Sequence, residues 1–248
     1  MKAKDFVLAT VLTLIICISS QRVVKAGDLP SLTTSAGATV IKGVVKFAGI
    51  VPAPEPIRMS ADPSCAKQHS RPVLTREVVV DSKGGLQYAI VFIADGLGDR
   101  RFDPPTQTAV ISQKGCLYEP HVLAVRENQP IEVVNDDPTS HNIHPTPANN
   151  REWNKAEPPG ARLEEAFARE EIAIPVKCNI HPWMRGYIAV LKNPYFVVTK
   201  QDGSFDLPNL PPGTYTIKAW HEKLGTATQT VTIGANQTKE ISFVFKSM

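Results

Sequence analysis

The stretch Cys178-Asn179-Ile180-His181-Pro182-Trp183-Met184 lies between two apolar runs that have the character of β-strands. The first run, Glu171 to Lys177, ends at the cysteine, and the second, Tyr187 to Lys192, begins shortly after the methionine. One short loop between two strands can therefore present a thiol, an imidazole and a thioether to the same point.

A fourth candidate ligand lies upstream, in Ser140-His141-Asn142-Ile143-His144. One thiolate, two imidazoles and one thioether form the soft set of ligands that a copper electron-transfer centre uses, with the thioether as a weak axial ligand. We therefore predict one type 1 copper ion bound by His141, Cys178, His181 and Met184. The separation in sequence indicates that the first histidine comes from a neighbouring strand.

His144 is the alternative to His141 as the upstream ligand. Positions three apart in an extended strand point to opposite faces, so one metal ion should not take both side chains.

The chain begins with Met-Lys-Ala-Lys, continues with the apolar run from Phe6 to Ser19, and then reaches Val24-Lys25-Ala26. This order predicts a signal peptide over residues 1–26, followed by a flexible leader over residues 27–39. The apolar run is short for a membrane span, so we expect none after cleavage and a periplasmic or extracellular location.

The formal charge of +3 belongs to the expected signal peptide, which carries four bases and one acid. The remainder of the chain is therefore neutral. Without a basic stripe, the sequence does not predict binding to nucleic acid.

Three cysteines remain after the expected cleavage: Cys65, Cys116 and Cys178. If Cys178 binds metal, the only possible disulfide joins Cys65 to Cys116, as an oxidising compartment favours. The alternative is a second nitrogen and sulfur metal site that includes His69 and His121.

The chain has 21 prolines, many turn signals and little helical periodicity, so we expect an all-β protein. Seven or eight short strands occupy residues 40–192, with the rhythm of a sandwich or barrel. After Asn193-Pro194, five alternating segments predict a small antiparallel β unit over residues 193–248. This unit could borrow a strand from the N-terminal region to complete its core.

The segments 135–144 and 178–187 resemble the cupredoxins, most closely the plastocyanin and amicyanin type. The resemblance implies a Greek-key β-sandwich over residues 40–192. A first histidine followed by asparagine matches His141-Asn142 and favours His141 over His144. By the same resemblance, Asn142 hydrogen-bonds to the cysteine loop and holds the two ligand segments together.

The carboxyl-terminal part resembles the carboxypeptidase regulatory-like, transthyretin-like β modules. The resemblance rests on the segments 199–205 and 207–215. It implies an accessory β-sandwich module without peptidase chemistry of its own.

These observations predict an exported electron carrier rather than an enzyme, with a cytochrome or an oxidoreductase as its redox partner. Pro182 and Trp183 are the expected docking residues, on an apolar patch around an exposed edge of His181. The alternative is a copper-binding or cell-surface interaction protein without redox turnover. An oxidase or reductase is a weaker hypothesis, because it needs the second metal site.

Overall fold

The computed structural model describes residues 39–247. The expected signal peptide and nearly all of the expected leader lie outside this range. Apart from one four-residue helix, α1 (Pro63–Ala66), the regular elements described are strands, which confirms the all-β prediction. None of the helical structure in this range has the length and apolarity of a membrane span.

Residues 40–192 contain eleven strands, where seven or eight were expected, whereas the five segments expected after Asn193 are all strands. In chain order they are β1 (Val40–Ala48), β2 (Ile90–Asp95), β3 (Ala109–Gln113), β4 (Tyr118–Glu119), β5 (Val122–Arg126), β6 (Ile131–Asn135), β7 (His141–Pro145), β8 (Lys155–Glu157), β9 (Arg162–Glu165), β10 (Glu171–Lys177), β11 (Arg185–Leu191), β12 (Phe196–Val198), β13 (Ser204–Pro208), β14 (Gly213–His221), β15 (Gly225–Ile233) and β16 (Thr238–Lys246).

Two sheets, with strand orders β13-β1-β16 and β12-β2-β14-β15, form what we call the terminal sandwich. β1 lies in the middle of the first sheet, antiparallel to β13 and parallel to β16. Gly43 allows this close approach, because a β-carbon there would lie 1.8 Å from the carbonyl oxygen of Ile241.

The boundary expected between residues 192 and 193 does not describe this sandwich. β1 and β2 come from the segment 40–192, yet their hydrogen-bonding partners are strands of the carboxyl-terminal unit. Without β1, the strands β13 and β16 would have no partner between them. The borrowed strand is therefore structural, and the segment 40–192 is not an independent unit.

The sheets β5-β11-β10-β7-β8 and β4-β3-β6-β9 form the central sandwich. Its core contains apolar side chains from both sheets, among them Ile111, Val133, Ile143, Val176 and Ile188. The segment 145–170 contributes β8 to one sheet and β9 to the other.

The two sandwiches pack on each other through β2 and β11. In β2, Val91 and Ile93 face the core of the terminal sandwich, while Ile90 and Phe92 face the interface. In β11, Ala189 and Leu191 belong to the same interface. Burial on both faces explains why both strands are continuously apolar instead of alternating.

Candidate metal centre

The loop between β10 and β11 is closed by its own backbone. The amide of Cys178 donates to the carbonyl of Met184 at 3.1 Å, and the amide of Met184 donates to the carbonyl of His181 at 2.9 Å. The amide of His181 also donates to the Cys178 sulfur at 3.4 Å. These bonds fix the loop in a form that turns all three side chains into the central sandwich.

His141, the first residue of β7, meets this loop inside the protein. Its Nδ1 lies 2.9 Å from Nδ1 of His181, and the Cys178 sulfur lies 3.9 Å from the same His181 atom. One ligand atom from each of the three residues lies within 4.8 Å of the others. All three side chains are buried, and Met184 is fully buried in the same core.

Asn142 joins the two ligand segments. Its Oδ1 accepts a hydrogen bond from the backbone amide of Asn179 at 2.7 Å and one from the Cys178 thiol at 3.3 Å. Its amide nitrogen donates to Asn154 at 2.7 Å, which ties the arrangement to the segment before β8. These are the contacts that the resemblance implies for Asn142.

A buried carboxylate, Asp137, holds the outer nitrogen of His141. Its Oδ2 lies 2.8 Å from Nε2 of the imidazole. The same carboxylate accepts hydrogen bonds from the backbone amides of Gly115 and Cys116, at 2.6 and 2.7 Å. Both of these residues have positive φ, as a tight hairpin turn requires, so two successive N–H groups point at one carboxylate.

This environment favours the charged forms of the buried groups. Burial alone lowers the pKa of His141, but Asp137 and Cys178 outweigh it and raise that pKa to about 9. Burial raises the pKa of Cys178 and of Asp137, yet hydrogen bonds from His141 and from backbone amides bring both below their ordinary values. Without metal, the site therefore favours an imidazolium at His141, hydrogen-bonded to the carboxylate of Asp137.

A second carboxylate covers the outer nitrogen of His181. Oδ2 of Asp62, just before α1, lies 2.9 Å from Nε2 of His181, and the Cys65 sulfur lies 3.6 Å from it. His181 is only 2% exposed. The prediction that one edge of the His181 imidazole is exposed is therefore wrong, because the segment around α1 packs over it.

Cys65 and Cys116 form a disulfide, and Cys178 is the free cysteine of the described residues. Neither histidine of the alternative second site belongs to a cluster of metal-binding side chains within residues 39–247. His69 contacts the carbonyl of Gly115 at 2.7 Å, and His121 contacts Glu222 at 2.5 Å. The structure therefore does not support that alternative set.

The other histidine of β7 and the expected docking residues lie toward the surface. His144 contacts Glu152 at 2.6 Å and takes no part in the buried cluster. Pro182 is exposed, whereas Trp183 is partly buried and donates its indole N–H to the carbonyl of Cys116 at 3.2 Å. Trp183 therefore supports the loop as well as lining its surface.

Sequence analysis missed Asp62, Asp137 and Glu157. Glu157 of β8 is fully buried opposite His141, and burial raises its pKa to about 7. Asp137 precedes His141 by four residues in an Asn/Asp-rich loop, which is a weak signal. No local pattern connects Asp62 to a histidine 119 residues away.

The site joins two imidazole nitrogens and one thiol sulfur, and Met184 is buried in the same core. A hydrogen-bonded carboxylate or amide supports each of the first three. Groups that hydrogen-bond to metal ligands in this way orient those ligands and fix the tautomers of the histidines. The donor set and its supports suit a soft transition-metal ion.

No curated protein matches this sequence. Among solved structures, the chain is similar to a copper-containing nitrite reductase from Thermus scotoductus SA-01, with 20% identity and a TM-score of 0.33, over 39% of this chain and 25% of the reductase. It therefore spans about a quarter of that enzyme's length.

Two smaller proteins are also similar. A purple cupredoxin from Nitrosopumilus maritimus has 25% identity and a TM-score of 0.30, over 34% of this chain and 99% of its own. A Cu(I) form of an amicyanin mutant has 18% identity and a TM-score of 0.32, over 41% of this chain and 98% of the amicyanin. Separately, residues 188–246 match the family model of the carboxypeptidase regulatory-like domain, which confirms the resemblance of the carboxyl-terminal part.

Proposed function

We propose that this protein is an exported one-electron carrier with a single type 1 copper ion bound by His141, Cys178, His181 and Met184. The observation that carries the proposal is the buried convergence of two Nδ1 atoms and one cysteine sulfur, from two separate segments. When copper is bound there, it supplies one-electron chemistry by cycling between Cu(II) and Cu(I).

The chain's own residues favour that ligand set. Asp137 and Asp62 each accept the Nε2 hydrogen of one imidazole, which leaves Nδ1 of His141 and of His181 available to a metal ion. Between these nitrogens, 2.9 Å apart, the metal-free protein can hold one shared proton. Metal binding would release that proton.

The same contacts support a carrier rather than an enzyme. The four proposed ligands are at most 2% exposed, so a substrate has no direct approach to the metal. Asn142 and the loop backbone fix the ligand segments from both sides. A site that changes little between redox states favours rapid electron transfer.

The ligand loop also offers a surface to a redox partner, a cytochrome or an oxidoreductase. Ile180 is 53% exposed and Pro182 is exposed beside it, although both follow buried Cys178 closely. Redox encounters use small contact areas, so two or three apolar side chains are a substantial part of such a surface.

A second candidate function is copper handling without redox turnover. The burial of His181 beneath Asp62 and Cys65 favours it, because no ligand edge reaches the surface for direct electron exit. The two candidate functions differ in one measurable property: an electron carrier reduces and reoxidises its bound copper rapidly, whereas a copper-handling protein does not.

The test is a titration of the purified, oxidised protein with Cu(II), followed by optical and EPR spectroscopy. We expect one equivalent to give an intense thiolate-to-copper charge-transfer band that is lost on reduction and regained on oxidation. A colourless complex, or a colour that does not return, would contradict the carrier and favour copper handling.

The docking surface is tested with Ile180→Asp and, as a matched control, Val244→Asp on β16, which is 50% exposed. We expect the first change to slow electron exchange with a redox partner at least tenfold while the copper spectrum stays the same. Equal rates for both variants would place the docking surface elsewhere.

A further inference from the structure

Four side chains with metal-binding chemistry face the outer edges of the two histidines, opposite the proposed copper ligands. Asp62, Cys65 and His181 place one ligand atom each within 4.8 Å of the others, and Cys116, Asp137 and His141 do the same. The disulfide joins these two groups through its sulfur atoms.

The group around His181 is the tighter one. Its Nε2 lies 2.9 Å from Oδ2 of Asp62 and 3.6 Å from the sulfur of Cys65, and the sulfur of Cys116 is bonded to that same atom. One sulfur, one imidazole nitrogen and one carboxylate oxygen therefore surround a single point, and the second sulfur of the disulfide is bonded to the first.

We propose that reduction of the Cys65–Cys116 disulfide creates a second metal site, in which Cys65, Cys116, His181 and Asp62 bind a Zn²⁺ ion. Four ligands of these types are the usual composition of a tetrahedral zinc site. Thiolates also favour zinc over the hard divalent ions.

The reductant is a dithiol. It gives two electrons and two protons to the disulfide, the S–S bond breaks, and Cys65 and Cys116 become thiols while the dithiol becomes a disulfide. Zn²⁺ then displaces the two thiol protons. Both cysteines are fully buried, whereas Asp62 is 24% exposed, so the approach is through the short segment around α1.

The two metal sites compete for one imidazole. The proposed copper site uses Nδ1 of His181 and needs the hydrogen on Nε2, which Asp62 accepts. The zinc site uses Nε2 and returns the hydrogen to Nδ1. The redox state of the disulfide would therefore decide which metal His181 can bind.

The experiment uses Cys178→Ser, which removes the thiolate of the proposed copper site and leaves every outer ligand in place. The folded protein is treated with dithiothreitol, desalted without oxygen, checked for two new thiols, and titrated with Zn²⁺ or with Co²⁺ as its coloured substitute. The same variant with its disulfide intact is the control.

We expect the reduced protein to bind one equivalent and to show thiolate-to-cobalt charge transfer, and the oxidised protein to show neither. Asp62→Asn should weaken binding at least tenfold in the reduced protein, whereas Asp136→Asn, an exposed neighbour of Asp137, should not. In the reduced wild type, one equivalent of Zn²⁺ should suppress the copper spectrum.

Reduced thiols without cobalt uptake would overturn the proposal, and so would a disulfide that resists dithiothreitol in the folded protein. Equal binding before and after reduction would also overturn it. The proposal does not depend on electron transfer, since the Cu(II) spectrum of the oxidised wild type tests that function separately.

Discussion

The two sandwiches bury different kinds of side chain. The core of the terminal sandwich is almost entirely apolar, with His221 as a deeply buried histidine at its edge. The central sandwich buries Asp137, His141, Glu157 and His181 around its ligand loop. Such groups are costly to bury unless they are paired, and their concentration in one sandwich supports the proposed metal site there.

The largest difference between the sandwiches should appear in metal binding. We expect His141→Ala to lower copper affinity about 100-fold or more and to abolish the charge-transfer band, because one of two imidazole ligands is lost. His144→Ala, three residues along the same strand, should leave both unchanged. Optical titration with Cu(II) measures both quantities. Loss of the band in His144→Ala but not in His141→Ala would show that His144 is the ligand.

A core truncation in the terminal sandwich should affect stability alone. Phe243 on β16 is 1% exposed and packs against Phe205. We expect Phe243→Ala to lower the free energy of unfolding by about 3–5 kcal/mol, through lost burial and a cavity. Denaturant unfolding measures the loss, with Val244→Ala as the exposed control. A changed copper spectrum in the folded variant would show that the two sandwiches are coupled.

The contribution of His141 to the stability of the central sandwich should decrease as pH rises. Because the pKa of His141 is about 9 in the folded protein and 6.5 as its ordinary value, its contribution is complete below pH 6.5 and disappears as pH passes 9. Asp137 and Cys178 together raise this pKa, so Asp137→Asn should destabilise the metal-free protein by up to about 3 kcal/mol at pH 6 and by much less at pH 9.5.

Denaturant unfolding at the two pH values, with Asp136→Asn as the control, checks this prediction. A loss that stays the same at both pH values would show that Asp137 acts through its backbone partners, Gly115 and Cys116, instead of through the imidazole.

The terminal sandwich should show the opposite pH dependence. Burial lowers the pKa of His221 to about 4 from an ordinary value of 6.5, so its neutral form stabilises the fold above pH 6.5. That stabilisation is lost as pH falls through 4. We expect His221→Leu to remove a pH-dependent loss of about 2 kcal/mol between pH 7 and 4.5. Parallel unfolding curves for both proteins would contradict this expectation.

The sequence alone predicted the parts of the protein that depend on local pattern and on chemical type. Alternation located β13 to β16 of the terminal sandwich, because a strand with one buried face repeats every two residues. Ligand chemistry selected His141, Cys178, His181 and Met184 as the proposed ligands, and counting the cysteines indicated the partner of Cys65. Each of these inferences needs only neighbouring residues or the identity of a side chain.

The tertiary structure alone decided which distant segments meet. It placed β1 between β13 and β16, and it brought Asp62 over His181 and Asp137 behind His141. Strand pairing and loop packing join residues far apart in the chain, and nothing in the local sequence records which partner will cover a given side chain. The number and type of the proposed ligands could therefore be predicted from the sequence. The protonation of these side chains, their burial and the carboxylates that contact them were decided by the fold.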